Sequence, residues 1–344
     1  MEKPFYSGKP EEHVEGPAVK LPVSPRARHE DPRGYEADEA LADAVNVALM
    51  LGQPLLVTGE PGTGKTQLAY SVAWELNWGD PLKFETKSSS TARDLFYTFD
   101  HLGLFRAVQA NVGSKNALDH ITYNALGKAI LHARAYEKVK HLLPAGYKFD
   151  GPRRHVVLID EIDKAPRDFP NDILNEIEGM YFRITELGNE KVEADKEMRP
   201  VLILTSNSEK SLPDAFLRRC VYYNIEFPGE KEGGLRKIVA RRLGDYVGES
   251  SPLLSDALAL FYKLRERNSG LRKKPATAEF LGWLIALRLS GLGAGDGLRR
   301  EEDGKATEAI EKTLCVLIKA EEDLVPARAI IQQWLPKKNT TQGA

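Results

Sequence analysis

Residues 59–66 read Gly-Glu-Pro-Gly-Thr-Gly-Lys-Thr and fill every fixed position of the pattern G-x-x-x-x-G-K-[ST]. Glycines at these places let the backbone approach an anion closely, and successive N–H groups at the start of a helix can point at it together. The Lys65 ammonium then suits the β- and γ-phosphates of a nucleoside triphosphate, and the Thr66 hydroxyl suits Mg²⁺. The candidate nucleotide-binding run is Gly59, Glu60, Pro61, Gly62, Thr63, Gly64, Lys65, Thr66 and Gln67.

Residues 155–163, His-Val-Val-Leu-Ile-Asp-Glu-Ile-Asp, are an apolar run ending in acids. Asp160 is placed to hold the cation, through water, and Glu161 to orient and polarise an attacking water. A further apolar run, Val201-Leu-Ile-Leu-Thr-Ser-Asn207, ends on an amide that can hydrogen-bond the terminal phosphate or the attacking water. Capping of the next turn is an equally ordinary use of Asn207. Arg218 and Arg219 stand together near a helix end. Either they complement the helix dipole or one serves as a finger on the γ-phosphate of a neighbouring subunit, and the local sequence leaves both open.

These groups need elements to carry them. Pro54–Thr58 is short, apolar and strand-like, and Gln67–Leu76 has helical spacing, so the glycine loop joins a strand to a helix. The continuous Val/Leu/Ile run before Asp160 suits a parallel strand covered on both faces, whose carboxyl end is where ligands bind. The fold class expected is α/β, a P-loop NTPase doubly wound parallel sheet with a C-terminal helical lid.

The chain has 344 residues, 42% hydrophobic and 28% charged, which allows a sizeable core and two domains. Its 48 basic and 50 acidic residues give a net charge of −2, so composition supplies no reason to expect nucleic acid as a direct partner. Cys220 and Cys315, far apart, have neither disulfide-framework nor metal-like spacing, which fits a cytoplasmic protein. No apolar run reaches membrane-spanning length and no apolar signal segment opens the chain, so no membrane partner is expected. The first 34 residues hold six of the 20 prolines and little apolar content, as in an extended arm. The expected organisation is an arm over 1–35, a nucleotide-binding domain over 36–228, a helical lid over 229–290, a glycine-rich charged loop over 291–305, a helical extension over 306–335 and a tail over 336–344.

The ordered set GEPGTGKT, LIDEID, ILTSN and LPDAFLRRC resembles the AAA-type ATPases. In detail it is similar to the MoxR-like group, the dynein-related AAA subfamily, through Glu161–Glu178, Arg93–Asp100 and Ile121–Ile130. The resemblance covers about residues 36–290. It implies ATP and Mg²⁺ as cofactors, Lys65 and Thr66 as phosphate and Mg²⁺ contacts, and Asp160 with Glu161 as the Mg²⁺ and water-activating pair. It makes Asn207 the first sensor and Arg218 with Arg219 the trans finger. Where many members carry an arginine in the lid helix this chain has Thr277, so Lys273 or Lys274 is the candidate second sensor. Hairpin inserts are implied at about 94–120 and 181–199, with Phe96, Tyr97, Phe99 and Phe105 either contacting a pore or partner or closing a small satellite core.

The implied activity is ATP hydrolysis in a homo-oligomeric ring, a hexamer, which remodels or activates a protein client in a chaperone-like way. A separate protein carrying a von Willebrand A domain is the expected partner class. Two other readings are a nucleic-acid-linked motor or restriction-type NTPase that drives a nuclease, and a binding module switched by nucleotide. Near-neutral charge and the absence of an aromatic-basic strand platform argue against the first. A complete hydrolytic set argues against the second.

Overall fold

A computed structural model of the chain describes residues 31–111, 113–208, 212–230, 233–299 and 304–336. Most of the expected arm, the centre of the charged loop and nearly all of the tail lie outside the described residues. The chain divides into two compact units: Ala37–Phe227, and the described residues up to Glu36 joined to those from Pro228 onward.

In the first unit, α1 (Glu39–Leu51) starts where the Asp38 carboxylate accepts the Leu41 N–H at 2.7 Å and stops at Gly52 in the left-handed region. Such an N-cap contributes about 1 kcal/mol. Next come β1 (Leu55–Gly59), α2 (Lys65–Glu75) and β2 (Leu82–Glu85). An insert follows, made of β3 (Tyr97–Phe99), α3 (His101–Ala110) and β4 (Ile121–Tyr123), then α4 (Ala125–His132) and α5 (Tyr136–Val139). After β5 (Val156–Asp160) the chain forms α6 (Phe169–Asp172), α7 (Leu174–Gly179) and the hairpin β6 (Tyr181–Ile184) and β7 (Glu190–Glu193). It closes with β8 (Val201–Thr205), α8 (Asp214–Leu217) and β9 (Val221–Ile225).

Five strands form one sheet in the order β2-β5-β8-β1-β9, every pair parallel. The inner strands β1, β5 and β8 are apolar and almost wholly buried because helices cover the sheet. Strand β2 at one edge alternates Leu-Lys-Phe-Glu, the pattern of a strand with one wet face. Helix α1 packs on β1 and β9, α2 on β1, β5 and β8, and α4 on β2 and β5. This is the doubly wound P-loop α/β architecture.

The two inserts differ from the simplest expectation. The first returns through β4, just past residue 120, and α3 fills its tip. Phe96 and Tyr97 are core residues: the Phe96 ring stacks on Phe182 at 5.4 Å, and the Tyr97 hydroxyl donates to Glu186 Oε2 at 2.8 Å. Phe182 also meets Tyr97 and Tyr123 at 6.2 Å, so the inserts share one aromatic cluster. Phe105 instead is 62% exposed, beside the exposed Leu102 and Val108 on α3. Packing between two hairpins distant in sequence makes Phe96 and Tyr97 interior, and they join the main core cluster with Leu56, Val157 and Ile159 instead of closing a separate satellite.

The second unit is helical, with α9 (Gly234–Val247), α10 (Pro252–Arg265), α11 (Thr277–Leu289), α12 (Lys305–Leu317) and α13 (Leu324–Trp334). Phe261 and Phe280 pack at 4.6 Å beside Trp283, whose indole N–H donates to Thr313 Oγ1 at 2.9 Å. Helix α12 lies on α11, and α13 on α10. No helix among the described residues is long and apolar enough to cross a membrane.

Candidate active site

The strand order sets the site. Because β1, β8 and β5 are neighbours, their carboxyl ends bring the glycine loop, Asn207 and the acidic pair Asp160–Glu161 side by side. The loop turns on Gly59, Gly62 and Gly64, with φ of 146°, 78° and 92°. A Cβ on Gly59 would stand 2.5 Å from the Ile225 carbonyl, so close approach of β9 alone requires glycine there. The loop crest, Glu60, Pro61 and Gly62, is exposed, while Thr63 Oγ1 donates back to the Glu60 carbonyl at 2.9 Å.

Lys65 is 7% exposed and folds back over this loop. Its Nζ donates to the carbonyls of Gly59 at 2.7 Å and Glu60 at 2.9 Å, and to Asn207 Oδ1 at 3.2 Å. Burial lowers the Lys65 pKa from its ordinary value, partly opposed by the charges of Asp163, Asp160 and Glu161. The ammonium, bonded to neutral carbonyl and amide oxygens, therefore sits short of negative counter-charge and ready to meet anionic oxygens. Gln67 Oε1 is buried with no hydrogen-bond partner among the described residues.

Asp160 is surrounded. Its Oδ1 accepts from Thr66 Oγ1 at 2.9 Å and from Thr205 Oγ1 at 2.7 Å, and its Oδ2 lies 3.0 Å from Lys83 Nζ. Burial works to raise its pKa, but hydrogen bonds from Thr205, Lys83 and Thr66 overcome this and hold it below the usual carboxylate value. Hydroxyl and carboxylate are hard oxygen donors of the type Mg²⁺ takes, so the residues present fit that ion. Glu161 has φ 56° and ψ 53°, the left-handed region, which costs a non-glycine residue about 1–2 kcal/mol. Its N–H donates to Thr205 Oγ1 at 2.8 Å, and its carboxylate pairs with Lys164 Nζ at 2.5 Å. The Asn207 N–H donates to Asp163 Oδ1 at 3.3 Å.

The arginines differ from one another. Arg219 donates to Glu178 Oε2 at 3.3 Å and to the Ala215 carbonyl at 2.9 Å. Arg218 is exposed, caps the C-terminal end of α8, and its side chain has no polar partner among the described residues. Lys273 and Lys274 belong to the helical unit, in the loop before α11. The backbone N–H groups of Arg272 and Lys273 both donate to the buried Asp323 carboxylate, at 2.8 and 3.0 Å. Those bonds hold the Asp323 carboxyl below its ordinary value.

Sequence reasoning missed Lys83, Asp163, Lys164 and Thr205. The alternation of β2 marks Lys83 and Glu85 as sharing a face, but the strand that pairs with β2 is not written locally. Thr205 lies two residues before Asn207 at a strand end, where a hydroxyl facing the acidic strand was open to notice.

The model of the ATPase family associated with various cellular activities (AAA) matches residues 55–228, from the start of β1 to just past β9. Among solved structures, the chain is similar to a point mutant of Thermotoga maritima RuvB at 17% identity and a TM-score of 0.41, over 79% of this chain and 67% of that one. A second Thermotoga maritima RuvB mutant matches at 18% identity and a TM-score of 0.40, over 83% of this chain and 70% of that one. No curated protein sequence matches this chain. With the glycine loop, the paired acids and the parallel sheet lying inside the matched span, the chain belongs to the ATPase family associated with various cellular activities (AAA).

Proposed function

We propose that this chain is a MoxR-like ATPase subunit that hydrolyses ATP in a homo-oligomeric ring, a hexamer, to remodel or activate a partner protein. The observation that carries the reading is the meeting of Lys65, Thr66, Asp160, Glu161 and Asn207 where β1, β5 and β8 end. Lys65 leaves the loop carbonyls for the β- and γ-phosphate oxygens, which are better acceptors for its charge. The backbone N–H groups of Gly59–Gln67 cradle the remaining phosphate oxygens. Thr66 and Asp160 hold Mg²⁺, which when bound supplies charge neutralisation at the phosphate oxygens. Glu161 orients and polarises the attacking water, and Asn207 senses the γ-phosphate.

Arg218 is the primary finger for the neighbouring subunit's nucleotide, with Arg219 tied to Glu178 in its own chain as support. Lys273 or Lys274 supplies the second-sensor charge, in a loop that Asp323 fixes through two backbone bonds. The adenine preference follows from the family reading, as does a partner protein with a von Willebrand A domain, and the cytoplasmic setting from the two widely spaced cysteines.

Light scattering with ATP on Glu161→Gln, with Arg218→Ala in parallel, tests the reading. A hexamer-sized species that retains nucleotide, and loss of turnover in Arg218→Ala with nucleotide still bound, support it. A monomer throughout, with turnover indifferent to Arg218, overturns it.

A further inference from the structure

Lys83 lies outside every motif in the chain, yet its ammonium touches the acid assigned to the metal. It reaches two carboxylates at once, Asp160 Oδ2 at 3.0 Å and Glu85 Oε1 at 2.8 Å. The sheet register makes this arrangement necessary. Lys83 pairs with Leu158 and Glu85 with Asp160 across β2 and β5, so Lys83, Glu85 and Asp160 project from one face. The two acids differ in setting: the Asp160 side chain is 12% exposed and the Glu85 side chain 71%.

We propose that Lys83 is a positioning residue, the built-in counter-cation of Asp160, which keeps that carboxylate from collecting a divalent ion until nucleotide arrives. The inference rests on the reading of Asp160 as a metal-holding residue. A cation approaching Asp160 alone, from the Thr66 side at Oδ1, meets the repulsion of Lys83 on Oδ2, and an ammonium displaced by it keeps Glu85 as its second acceptor. Phosphate oxygens add the negative charge and donor atoms that make this displacement favourable. Lys83 thus couples metal entry to nucleotide entry, and Glu85 is the side to which it retreats.

Mn²⁺ binding followed by electron paramagnetic resonance on the full chain, first without nucleotide, tests this. Lys83→Gln should bind Mn²⁺ at least about tenfold more tightly than the native chain, because Asp160 and Glu85 are left facing each other uncompensated. The gain should vanish when Asp160→Asn is added. Glu85→Gln should act in the opposite direction, weakening Mn²⁺ binding in the presence of a non-hydrolysable ATP analogue, since Lys83 then has Asp160 alone. Equal affinities for native chain and Lys83→Gln, a gain that survives Asp160→Asn, or no effect of Glu85→Gln overturns the proposal. The single variant Asp160→Asn with the analogue keeps the two ideas apart. Weakened Mn²⁺ binding there upholds the metal reading whatever Lys83 does, and unchanged binding removes that reading and the proposal with it.

Discussion

Thr205 Oγ1 donates to Asp160 Oδ1 at 2.7 Å and, through the same oxygen, accepts the Glu161 N–H at 2.8 Å. One hydroxyl on β8 therefore fixes both the acid that ends β5 and the one that follows it, including the backbone that Glu161 holds at φ 56°. Replacing it by valine keeps the shape and leaves a half-buried N–H unpaired, at a cost of about 1–3 kcal/mol. Thr205→Val should lower kcat by about ten- to a hundredfold, the 1.4–2.8 kcal/mol that lost positioning at the acids represents. Nucleotide affinity should change much less. Steady-state kinetics, nucleotide titration and urea unfolding together check this.

Arg218 and Arg219 should separate in mutagenesis. A trans finger supplies about 10³-fold or more in turnover, so Arg218→Ala should lose that much while still binding nucleotide. The Arg219–Glu178 pair is exposed on both sides and worth about 0–1 kcal/mol, so Arg219→Ala and Glu178→Gln should resemble each other and act weakly. Turnover of mixed assemblies, in which Arg218→Ala subunits are combined with Glu161→Gln subunits, reads the trans contribution directly.

The aromatic residues of the first insert should divide by stability. Phe96→Ala, which empties a site in the shared cluster, should cost about 3–5 kcal/mol. Phe105→Ala, at an exposed position, should stay within about 0.5 kcal/mol. Gly127→Ala should also destabilise, by about 1–3 kcal/mol, because a Cβ there meets the Phe96 carbonyl. Thermal and chemical unfolding of the three variants decides the matter.

Acid should weaken the first unit through a buried histidine pair. His132 Nδ1 and His155 Nε2 are 3.1 Å apart, Tyr147 Oη lies 3.1 Å from His132 Nε2, and Arg153 Nε donates to His155 Nε2 at 3.2 Å. Burial, with Lys128 and Arg153 nearby, pushes both imidazoles down to about 4, against the weaker pull of Asp150. The unfolded chain takes up these protons near pH 6.5, so the stability the neutral pair gives is complete above about 6.5. It should be lost progressively as pH falls from there toward about 4. Imidazole NMR titration, with unfolding free energies measured across that range, tests both the values and the sign.

What could be read from the chain alone was what is local along it. The glycine loop, Lys65 and Thr66 are contiguous, and Asp160, Glu161 and Asn207 announce themselves as polar groups at the ends of buried runs. Lys83 and Thr205 act on Asp160 only because β2 and β8 flank β5, and that order is a property of the sheet. The aromatics of the first insert stayed ambiguous for the same reason, since Phe182, more than 80 residues away, decides that Phe96 is interior. The two arginines were visible as a pair, but the bonds of Arg219 to Glu178 on another helix and to the Ala215 carbonyl distinguish them.

The cluster that joins the inserts also has a mechanical meaning. Phe96, Tyr97, Tyr123 and Phe182 interlock, and Glu186 ties the second hairpin to Tyr97 and Arg93 at 2.8 and 3.2 Å. From Glu161 the chain passes through two short helices, α6 and α7, directly into that second hairpin. A short stretch of chain thus joins the acidic pair to the cluster that both inserts share. The two hairpins are therefore cross-tied as one packed body, by the Tyr97–Glu186 and Arg93–Glu186 contacts as well as by the rings.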